Sequence, residues 1–292
     1  MRAIEGHTPR KRPSVAAWLI APAALFFLVF FVLPFLAMAL LSVLTGNPLQ
    51  RPNVTFTTRH YERIADDSLY LESLLSTLKI GAVVTLASLL LGYPIAHWLA
   101  RIRSRTGHAL LLMAVIAPML TGIVVRTFAW LTILSDKGVI NATLAALGLT
   151  SGPLPLMYNE LGTTIALVHI YVPFMVLTLA GVIGAIDERL EEGAMSLGAS
   201  PLRAFLEVTL PLSLPGIMAG SLLVFASAYV TPYLMGGQQV LTLPMLIYQQ
   251  VAATFNTAFA GALGVLLLVV SIALVGAYNR VLARVARREN LA

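Results

Sequence analysis

Long apolar runs, separated by short polar segments, dominate the chain. A helix that crosses the hydrocarbon core of a bilayer needs about 20 mostly apolar residues. Six segments meet this requirement, namely 16–43, 72–100, 109–134, 161–186, 213–235 and 257–282. The first run is far longer than the roughly 7–15 apolar residues of a secretory signal, and no small-residue cleavage site ends it. The pattern therefore predicts an all-α membrane protein with six transmembrane helices.

The same pattern divides the chain into tails, loops and a helical core. The predicted parts are a tail 1–15, a first transmembrane helix 16–44, an outer loop 45–71, a five-helix core 72–282 that contains an inner loop 187–211, and a tail 283–292. Between the spans, the sequence predicts two further short helices on the outer side. One covers 139–147 and ends at Gly148, and the other starts at Pro244. These long outer loops either dock a partner or pack as a lid over the helices.

Composition agrees with a membrane location. Hydrophobic residues make up 58% of the chain and charged residues only 11%, whereas soluble proteins carry about 25% charged residues. An ordinary soluble enzyme, a disordered protein and a nucleic-acid binder are thereby excluded. The absence of cysteine excludes a disulfide framework, a thiolate metal site and a cysteine nucleophile.

The net charge of +6 is interpreted as an orientation signal. Thirteen of the 19 Lys and Arg residues lie in the N-terminal tail, in the loops that follow the second and fourth spans, and between Arg280 and the end of the chain. Because basic residues stay on the cytoplasmic side of a membrane protein, both termini are predicted to be cytoplasmic.

The inner loop 187–211 differs from the other inner segments because it is rich in acids. Its sequence predicts two short helices that form a hairpin. Gly198 is expected to end the first helix in the left-handed conformation. Ser200 is expected to cap the second helix, Pro201 to occupy its first turn, and Pro211 to stop it before the fifth span. Such a rigid projection is a surface that a partner enzyme can grip.

This loop resembles the EAA loop of permease subunits of bacterial ABC importers. The family pattern is E-A-A, three residues, G, nine residues, then I-x-L-P. Here the letters EGA start at Glu192, Gly198 follows at the right spacing, and VTLP ends at Pro211. Two positions depart from the pattern, because Gly193 replaces the first alanine and Val208 replaces isoleucine. Gly193 is expected to weaken the first helix by up to about 1 kcal/mol relative to alanine.

The resemblance extends to other segments, which are similar to the polyamine-type subfamily. These are LGYPIAHWLA, LSDKGVIN, VHIYVPFMV and VTPYLMGG. It implies one membrane subunit of a type I importer of the spermidine/putrescine group, in the bacterial inner membrane. It also implies two ATPase subunits, a second similar permease chain and a periplasmic binding protein. The implied ATPase-coupling residues are Glu191, Glu192, Gly193, Ala194, Gly198, Ala199, Ser200, Pro201 and Pro211.

Motifs for independent chemistry are absent from the sequence. It contains no G-x-x-x-x-G-K-[ST] phosphate loop, no H-E-x-x-H, no G-x-S-x-G and no His and acid cluster at metal spacing. We therefore expect no enzyme activity, cofactor or metal in this chain, and energy for transport must come from another polypeptide. A stand-alone secondary carrier is disfavoured because no internal repeat is visible, and an intramembrane enzyme because catalytic pairs are missing.

Three ionisable residues within the spans are candidates for a translocation pathway, because charge within a membrane costs about 2.5–3.5 kcal/mol even on generous scales. They are Lys79, Arg126 and His169, at roughly 10–14 Å below the outer edge for a rise of 1.5 Å per residue. Each has a structural alternative. Lys79 can extend to the headgroups, His169 can bind a carbonyl in the core, and Arg126 can bind a carbonyl freed by a kink near Pro118 and Gly122.

The predicted spans contain no deep acid, which bears on the cargo. A polycation is best accommodated by carboxylates or aromatic faces, and the aromatic candidates are Tyr171, Tyr229, Tyr233 and Trp130. Either the partner permease supplies acids, or the cargo carries a carboxylate, as an opine or amino-acid derivative does. The pair Gly216 and Gly220, in the spacing G-x-x-x-G, is expected to permit close helix contact in the fifth span.

Overall fold

The computed structural model describes residues 15–46, 53–228 and 240–289, and these are almost entirely helical. In chain order the helices are α1 (Val15–Phe27), a π-helical turn (Leu28–Val32), α2 (Leu33–Ser42), α3 (Arg59–Asp66), α4 (Ser68–Arg101), α5 (Arg105–Leu120), α6 (Ile123–Leu134), α7 (Val139–Ala146), α8 (Glu160–Gly184), α9 (Glu188–Ser196), α10 (Pro201–Ala204), a second π-helical turn (Phe205–Thr209), α11 (Leu210–Leu212), α12 (Leu214–Ala228), α13 (Leu243–Ala252) and α14 (Thr257–Glu289). The β-structure within these ranges is one isolated bridge between Leu44 and Phe56.

Four helical stretches are individually long and apolar enough to cross a membrane. They are Ile20–Ser42, Ser68–Arg101, Glu160–Gly184 and Thr257–Arg280. Two bent helix pairs raise the number to six if each pair counts as one span. The all-α membrane fold predicted from the sequence is therefore confirmed, while two of the six spans are broken.

The third predicted span, 109–134, is the clearest departure from a continuous helix. The chain is extended at Thr121 and Gly122, with ψ angles of 136° and 148°, and the pair on either side is bent by 96°. Pro118 inside α5 lacks an N–H, and the Thr121 hydroxyl donates to the Pro118 carbonyl at 2.8 Å. A side chain thus replaces a backbone donor at the point where the helix ends.

Helix bounds on the outer side also differ from the prediction. The segment 45–71 contains α3, whose short polar sequence offers no long apolar run, and it also contains the start of α4 at Ser68. Asp67 sets that start because its carboxylate accepts the Leu69 N–H at 3.0 Å. The predicted outer helices are confirmed as α7, followed by Gly148 with φ of +68°, and as α13, with proline in its first turn. The last helix extends to Glu289, so most of the predicted tail 283–292 is helical.

The core lies where α4, α8 and α12 pack against one another. Its fully buried members include Ile80, Val84, Met175, Val176, Leu179, Ile183 and Val224. Close packing of α12 on α8 depends on small residues. A Cβ on Gly216 would lie 2.8 Å from Val182, and one on Gly220 would lie 2.7 Å from Met175 Sδ. The close helix contact predicted from the Gly216-x-x-x-Gly220 spacing is confirmed.

A second cluster joins the outer ends of α3, α4, α13 and α14. Its buried residues are Ile64, Tyr70, Leu243, Leu246, Phe259, Ala262 and Leu263. The Arg63 guanidinium lies 4.6 Å from the centre of the Phe259 ring, a cation–π contact. This cluster fixes α13 against the core near the predicted outer surface.

Candidate functional site

The hairpin 187–211 forms as the sequence predicts. Asp187 caps α9 by accepting the Arg189 N–H at 3.0 Å. Gly198 has a φ of +94°, in the left-handed region, and ends that helix. The Ser200 hydroxyl accepts the Arg203 N–H at 3.3 Å, and Pro201 begins α10. The two helices therefore meet at a tight turn whose geometry depends on glycine.

Pro211 does not stop the second arm, contrary to the prediction. A π-helical turn, Phe205–Thr209, precedes it, and the Leu210 N–H donates to the Phe205 carbonyl five residues back. Pro211 then falls in the first turn of α11, where its missing N–H is tolerated. The direction changes instead at Ser213, and the helices on either side are bent by 61°.

The last residue of α4 binds the base of this hairpin. Arg101 Nη1 donates to the Ile186 carbonyl at 3.1 Å, and the guanidinium lies 3.6 Å from the Glu188 carboxylate and 3.7 Å from the Glu191 carboxylate. The Arg101 side chain is only 16% exposed. The Thr209 hydroxyl in the second arm donates to Glu191, so that one carboxylate bridges the arms. No signal in the sequence indicates these ion pairs, because Arg101 is 90 residues from Glu191.

Arg103 forms a second, exposed contact with the hairpin. Its Nη2 donates to Glu188 Oε2 at 3.0 Å. This hydrogen bond, helped by the nearby charge of Arg101, lowers the pKa of the Glu188 carboxyl below its usual value. A lowered pKa means that Glu188 contributes to stability above the ordinary carboxyl pKa, and the contribution is lost as pH falls through the lowered pKa. The contact therefore stays charged at neutral pH.

The tip of the hairpin is exposed and combines apolar side chains with one acid. Leu197 is 91% exposed and Leu202 is 68% exposed. Glu192 is exposed, and within the described part of the chain its carboxylate makes no ion pair. The other predicted coupling residues differ in exposure. Four are exposed, namely Gly193, Gly198, Ser200 and Pro201, and four are half-buried, namely Glu191, Ala194, Ala199 and Pro211.

Lys79, the first of the three candidate cations, has an acidic partner. Its Nζ lies 2.5 Å from Glu160 Oε2, with side-chain exposures of 63% and 47%. The predicted spans contain no deep acid, but Glu160 lies just before the apolar run 161–186 and becomes the first residue of α8, where it meets Lys79. The Lys79 charge is therefore balanced within this chain. Glu160 also lines a pocket of about 130 Å³ with Glu72, Ser73 and Ser76.

Arg126 binds a backbone carbonyl at the kink, which is the structural alternative that the sequence predicts for it. Its Nε donates to the Thr121 carbonyl at 3.1 Å, and that carbonyl belongs to the break between α5 and α6. The side chain thus bridges back across the bend that Pro118 and Gly122 introduce. A guanidinium next to a broken helix end satisfies a carbonyl that would otherwise lack a donor.

His169 lies on an exposed face of α8. Its hydrogen-bond partner is the indole of Trp130 and not the backbone carbonyl that the structural alternative predicted. Trp130 Nε1 donates to His169 Nδ1 at 3.1 Å, and the two rings are in edge contact with centroids 5.3 Å apart. Since Nδ1 accepts this bond, the neutral ring carries its proton on Nε2. Both rings line an open, mainly apolar groove of about 840 Å³ between α4, α5 and α8.

The tyrosine candidates have different outcomes. Tyr171 is buried, and its hydroxyl donates to the Ser227 carbonyl at 2.7 Å, which ties α8 to α12. Tyr229 and Tyr233 lie outside the described residues. Among the described residues no group of three or more His, Cys, Asp or Glu side chains is placed to hold a metal ion.

Known proteins with similar sequences are transport permeases. The chain is 35% identical over 261 residues to the spermidine/putrescine transport system permease protein PotB of Escherichia coli, covering 88% of this chain and 91% of that one. It is 33% identical to PotB of Haemophilus influenzae, covering 87% of this chain and 89% of that one. No protein-family model matches the chain.

A solved structure shares the fold. A chain of the bacterial alginate ABC transporter, solved in complex with an alginate pentasaccharide-bound periplasmic protein, superposes with a TM-score of 0.75. The identity is 18%, and the match covers 93% of this chain and 94% of that one. At this identity the likeness establishes the fold and nothing further.

Proposed function

Because this chain belongs to the family of PotB-type spermidine/putrescine permease proteins, we propose that it is the membrane subunit of an ATP-driven importer of polyamines. The observation that carries the proposal is 35% identity to PotB across 88% of this chain. We place it in the bacterial inner membrane as a multi-pass protein, with both tails cytoplasmic. Transport requires a separate ATPase, because this chain has no phosphate-binding loop.

The proposed partners are two ATPase subunits, a second similar permease chain and a periplasmic binding protein. Support for an ATPase contact comes from the 187–211 hairpin, which exposes Leu197 and Leu202 beside the Glu192 carboxylate. An apolar tip with one unpaired acid suits a hydrophobic cleft that contains a basic side chain. The glycine turn at the tip allows two helices to enter such a cleft together.

Reconstitution of the whole transporter tests the proposed function directly. The complex of both permeases, the ATPase and the binding protein is assembled in proteoliposomes, and ATP-dependent uptake of labelled putrescine, spermidine and an acidic opine is compared. We expect uptake of the polyamines. Selective uptake of the opine would instead support the alternative of a carboxylated solute, and uptake without an ATPase would indicate a secondary carrier.

Replacing Glu192 with glutamine is expected to weaken assembly with the ATPase. A partly buried, charge-assisted hydrogen bond contributes about 1.5–3 kcal/mol, so the affinity should fall by about tenfold or more. Copurification of the ATPase and its stimulation by the permease measure the effect. Glu207→Gln is the matched control, because Glu207 is 59% exposed and pairs within the hairpin with Arg203. Equal assembly of both variants would exclude a docking role for Glu192.

For the pathway, we propose a route on the face where Trp130 and His169 line the open groove, with Lys79 and Glu160 toward the outer end of the helices. The Glu160 carboxylate offsets the Lys79 charge, which reduces the repulsion expected for a polycation. Glu72 adds a second carboxylate beside Glu160. These contacts favour a polyamine over an acidic cargo. Tyr229 and Tyr233 remain proposed pathway residues.

Arg126→Gln is expected to lower stability without making polyamine entry easier. The guanidinium bonds the Thr121 carbonyl at the helix break, and loss of such a bond costs about 1–3 kcal/mol. Thermal unfolding of the purified complex and putrescine uptake per folded complex measure the two effects. Thr132→Val serves as a control for loss of a polar group in the same helix, because the Thr132 hydroxyl donates to the Phe128 carbonyl within α6. Higher normalised putrescine uptake, with unchanged stability, would show that Arg126 repels the cargo instead.

A further inference from the structure

The 187–211 hairpin is covalently continuous with α8 and α12, but it reaches α4 only through side chains. α4 has 34 residues, a length of about 50 Å at 1.5 Å per residue, and is long enough to cross the membrane. Any displacement of the hairpin by a partner passes directly into α8 and α12 along the chain. Whether α4 moves with them depends on the contacts at its last turns.

Arg101 supplies the central contact at this end of α4. Its guanidinium reaches the Ile186 carbonyl at the foot of the hairpin and the carboxylates of Glu188 and Glu191 in the first arm, at 3.1, 3.6 and 3.7 Å. Glu191 also accepts the hydroxyl hydrogen of Thr209, a fully buried residue in the second arm. These four side chains, Arg101, Glu188, Glu191 and Thr209, are called the Arg101 clamp. The clamp joins α4 to both arms at once.

Aromatic packing supports the same junction. The ring of Phe205 in the second arm makes edge contacts with Tyr93 and His97 of α4, with centroids 5.7 and 5.6 Å away. The Tyr93 hydroxyl lies 2.8 Å from the Ser213 hydroxyl, where α12 begins. Aromatic packing of this kind resists separation but permits sliding. The Arg101 guanidinium instead holds the hairpin at one point, through its hydrogen bond to the Ile186 carbonyl and its ion pairs with Glu188 and Glu191.

The opposite end of α4 is tied to the outer helix α13. The Leu243 N–H, in the first turn of α13, donates to the Thr77 hydroxyl at 2.9 Å, and this bond is buried. Thr77 itself is fully buried. α4 is one continuous helix from Ser68 to Arg101, with Pro94 inside it, and it therefore connects the base of the hairpin on one side to the first turn of α13 on the other.

We propose that Arg101 is a positioning residue that locks the hairpin to α4, so that α4 carries hairpin movement to the outer helix α13. The proposal rests on the proposed function, in which the hairpin receives the motion of an ATPase. If the clamp is lost, the ATPase should still dock at the tip of the hairpin. ATP hydrolysis should, however, no longer be coupled to opening of the outer side.

The test compares Arg101→Gln with Arg103→Gln in the complete reconstituted transporter. Arg103 is the matched control because it lies on the same chain segment, is 83% exposed and, among the described residues, forms its ion pair with Glu188 alone. The readout is solute imported per ATP hydrolysed. We expect a fall of about tenfold for Arg101→Gln, since a buried charged bond is lost, and a change within about twofold for the exposed pair of Arg103. ATPase copurification and hydrolysis should be retained in both.

A distance measurement separates positioning from general destabilisation. The chain contains no cysteine, so spin labels attach only where cysteines are introduced. We place them at Leu190→Cys in the first arm of the hairpin, which leaves Leu197 and Leu202 unchanged, and at Leu90→Cys on the exposed face of α4. With an intact clamp the distance between the labels should be the same with and without ATP. In Arg101→Gln it should change with ATP or broaden. If Arg101→Gln does not assemble, Glu191→Gln replaces it in both measurements, import per ATP and label distance. This variant loses the ion pair between Arg101 and Glu191 but retains the bond from Arg101 to the Ile186 carbonyl.

The possible failures are distinguishable. A folded Arg101→Gln complex with normal import per ATP and an unchanged label distance would overturn the proposal and leave the proposed function intact. Failure of the ATPase to copurify with the unmodified chain would overturn the proposed function, and the role of Arg101 with it.

Discussion

Gly198→Asp is expected to abolish most uptake, by more than about tenfold, while the protein still inserts and folds in the membrane. The φ angle of +94° at this turn is one that residues with a side chain rarely adopt. The turn is held by bonds from the Gly198 N–H to the Met195 carbonyl and from the Ala199 N–H to the Ala194 carbonyl, so the angle cannot relax without breaking them.

The loss is expected from backbone strain and charge, since an added Cβ at Gly198 meets nothing within 4 Å. Left-handed backbone costs a residue with a side chain about 1–2 kcal/mol. A carboxylate near the negative end of α9 adds about 0.3–1 kcal/mol and changes the surface that carries Leu197. Solute uptake, normalised to the amount of inserted protein, is the measurement.

Two variants in the same hairpin serve as controls for this prediction. Gly193→Ala also adds a Cβ in open space, but within a regular helix. Alanine there should stabilise α9 by up to about 1 kcal/mol and preserve uptake. Gly198→Asn should give intermediate uptake, because asparagine has a side chain of nearly the same size as aspartate but carries no charge, so it isolates the cost of the charge. Normal uptake by a well-inserted Gly198→Asp protein would remove the tight turn from the coupling mechanism.

Gly162→Ala is expected to destabilise the outer half of the protein by about 3 kcal/mol, at the upper end of the cost of overpacking. A Cβ at Gly162, in the first turn of α8, would overlap the Leu156 carbonyl oxygen. The loop cannot easily move away, because Asn141 donates to the Leu154 carbonyl at 3.0 Å and accepts the Leu154 N–H at 2.8 Å.

Thermal unfolding in detergent or lipid measures this effect, and Gly152→Ala provides the control. Gly152 lies in the same loop, is exposed and has nothing within 4 Å of an added Cβ. The control should unfold at nearly the normal temperature. Displacement of the loop by Gly162→Ala should also disturb Glu160 and its ion pair with Lys79, so uptake should fall further than stability alone explains. An unfolding temperature equal to that of Gly152→Ala would contradict the predicted clash.

Features that depend on neighbours along the chain can be predicted from the amino-acid sequence. The apolar runs predicted the membrane helices, since burial in lipid requires length and hydrophobicity alone. The glycine and serine positions predicted the hairpin, because the left-handed turn at Gly198 and the cap at Ser200 are local requirements of backbone geometry and hydrogen bonding. The spacing around these residues also carried the family resemblance, which the identity to PotB supports.

Tertiary structure alone decided the contacts between residues far apart in the chain. Arg101 pairs with Glu191, and Lys79 pairs with Glu160, across 90 and 81 residues of sequence. Periodicity identifies the face of a helix but not which charge on another helix meets it, because that depends on how the helices pack and how far long side chains reach. The break at Thr121 was similarly decided in three dimensions, where the side chains of Thr121 and Arg126 satisfy the carbonyls that a continuous helix would have bonded internally.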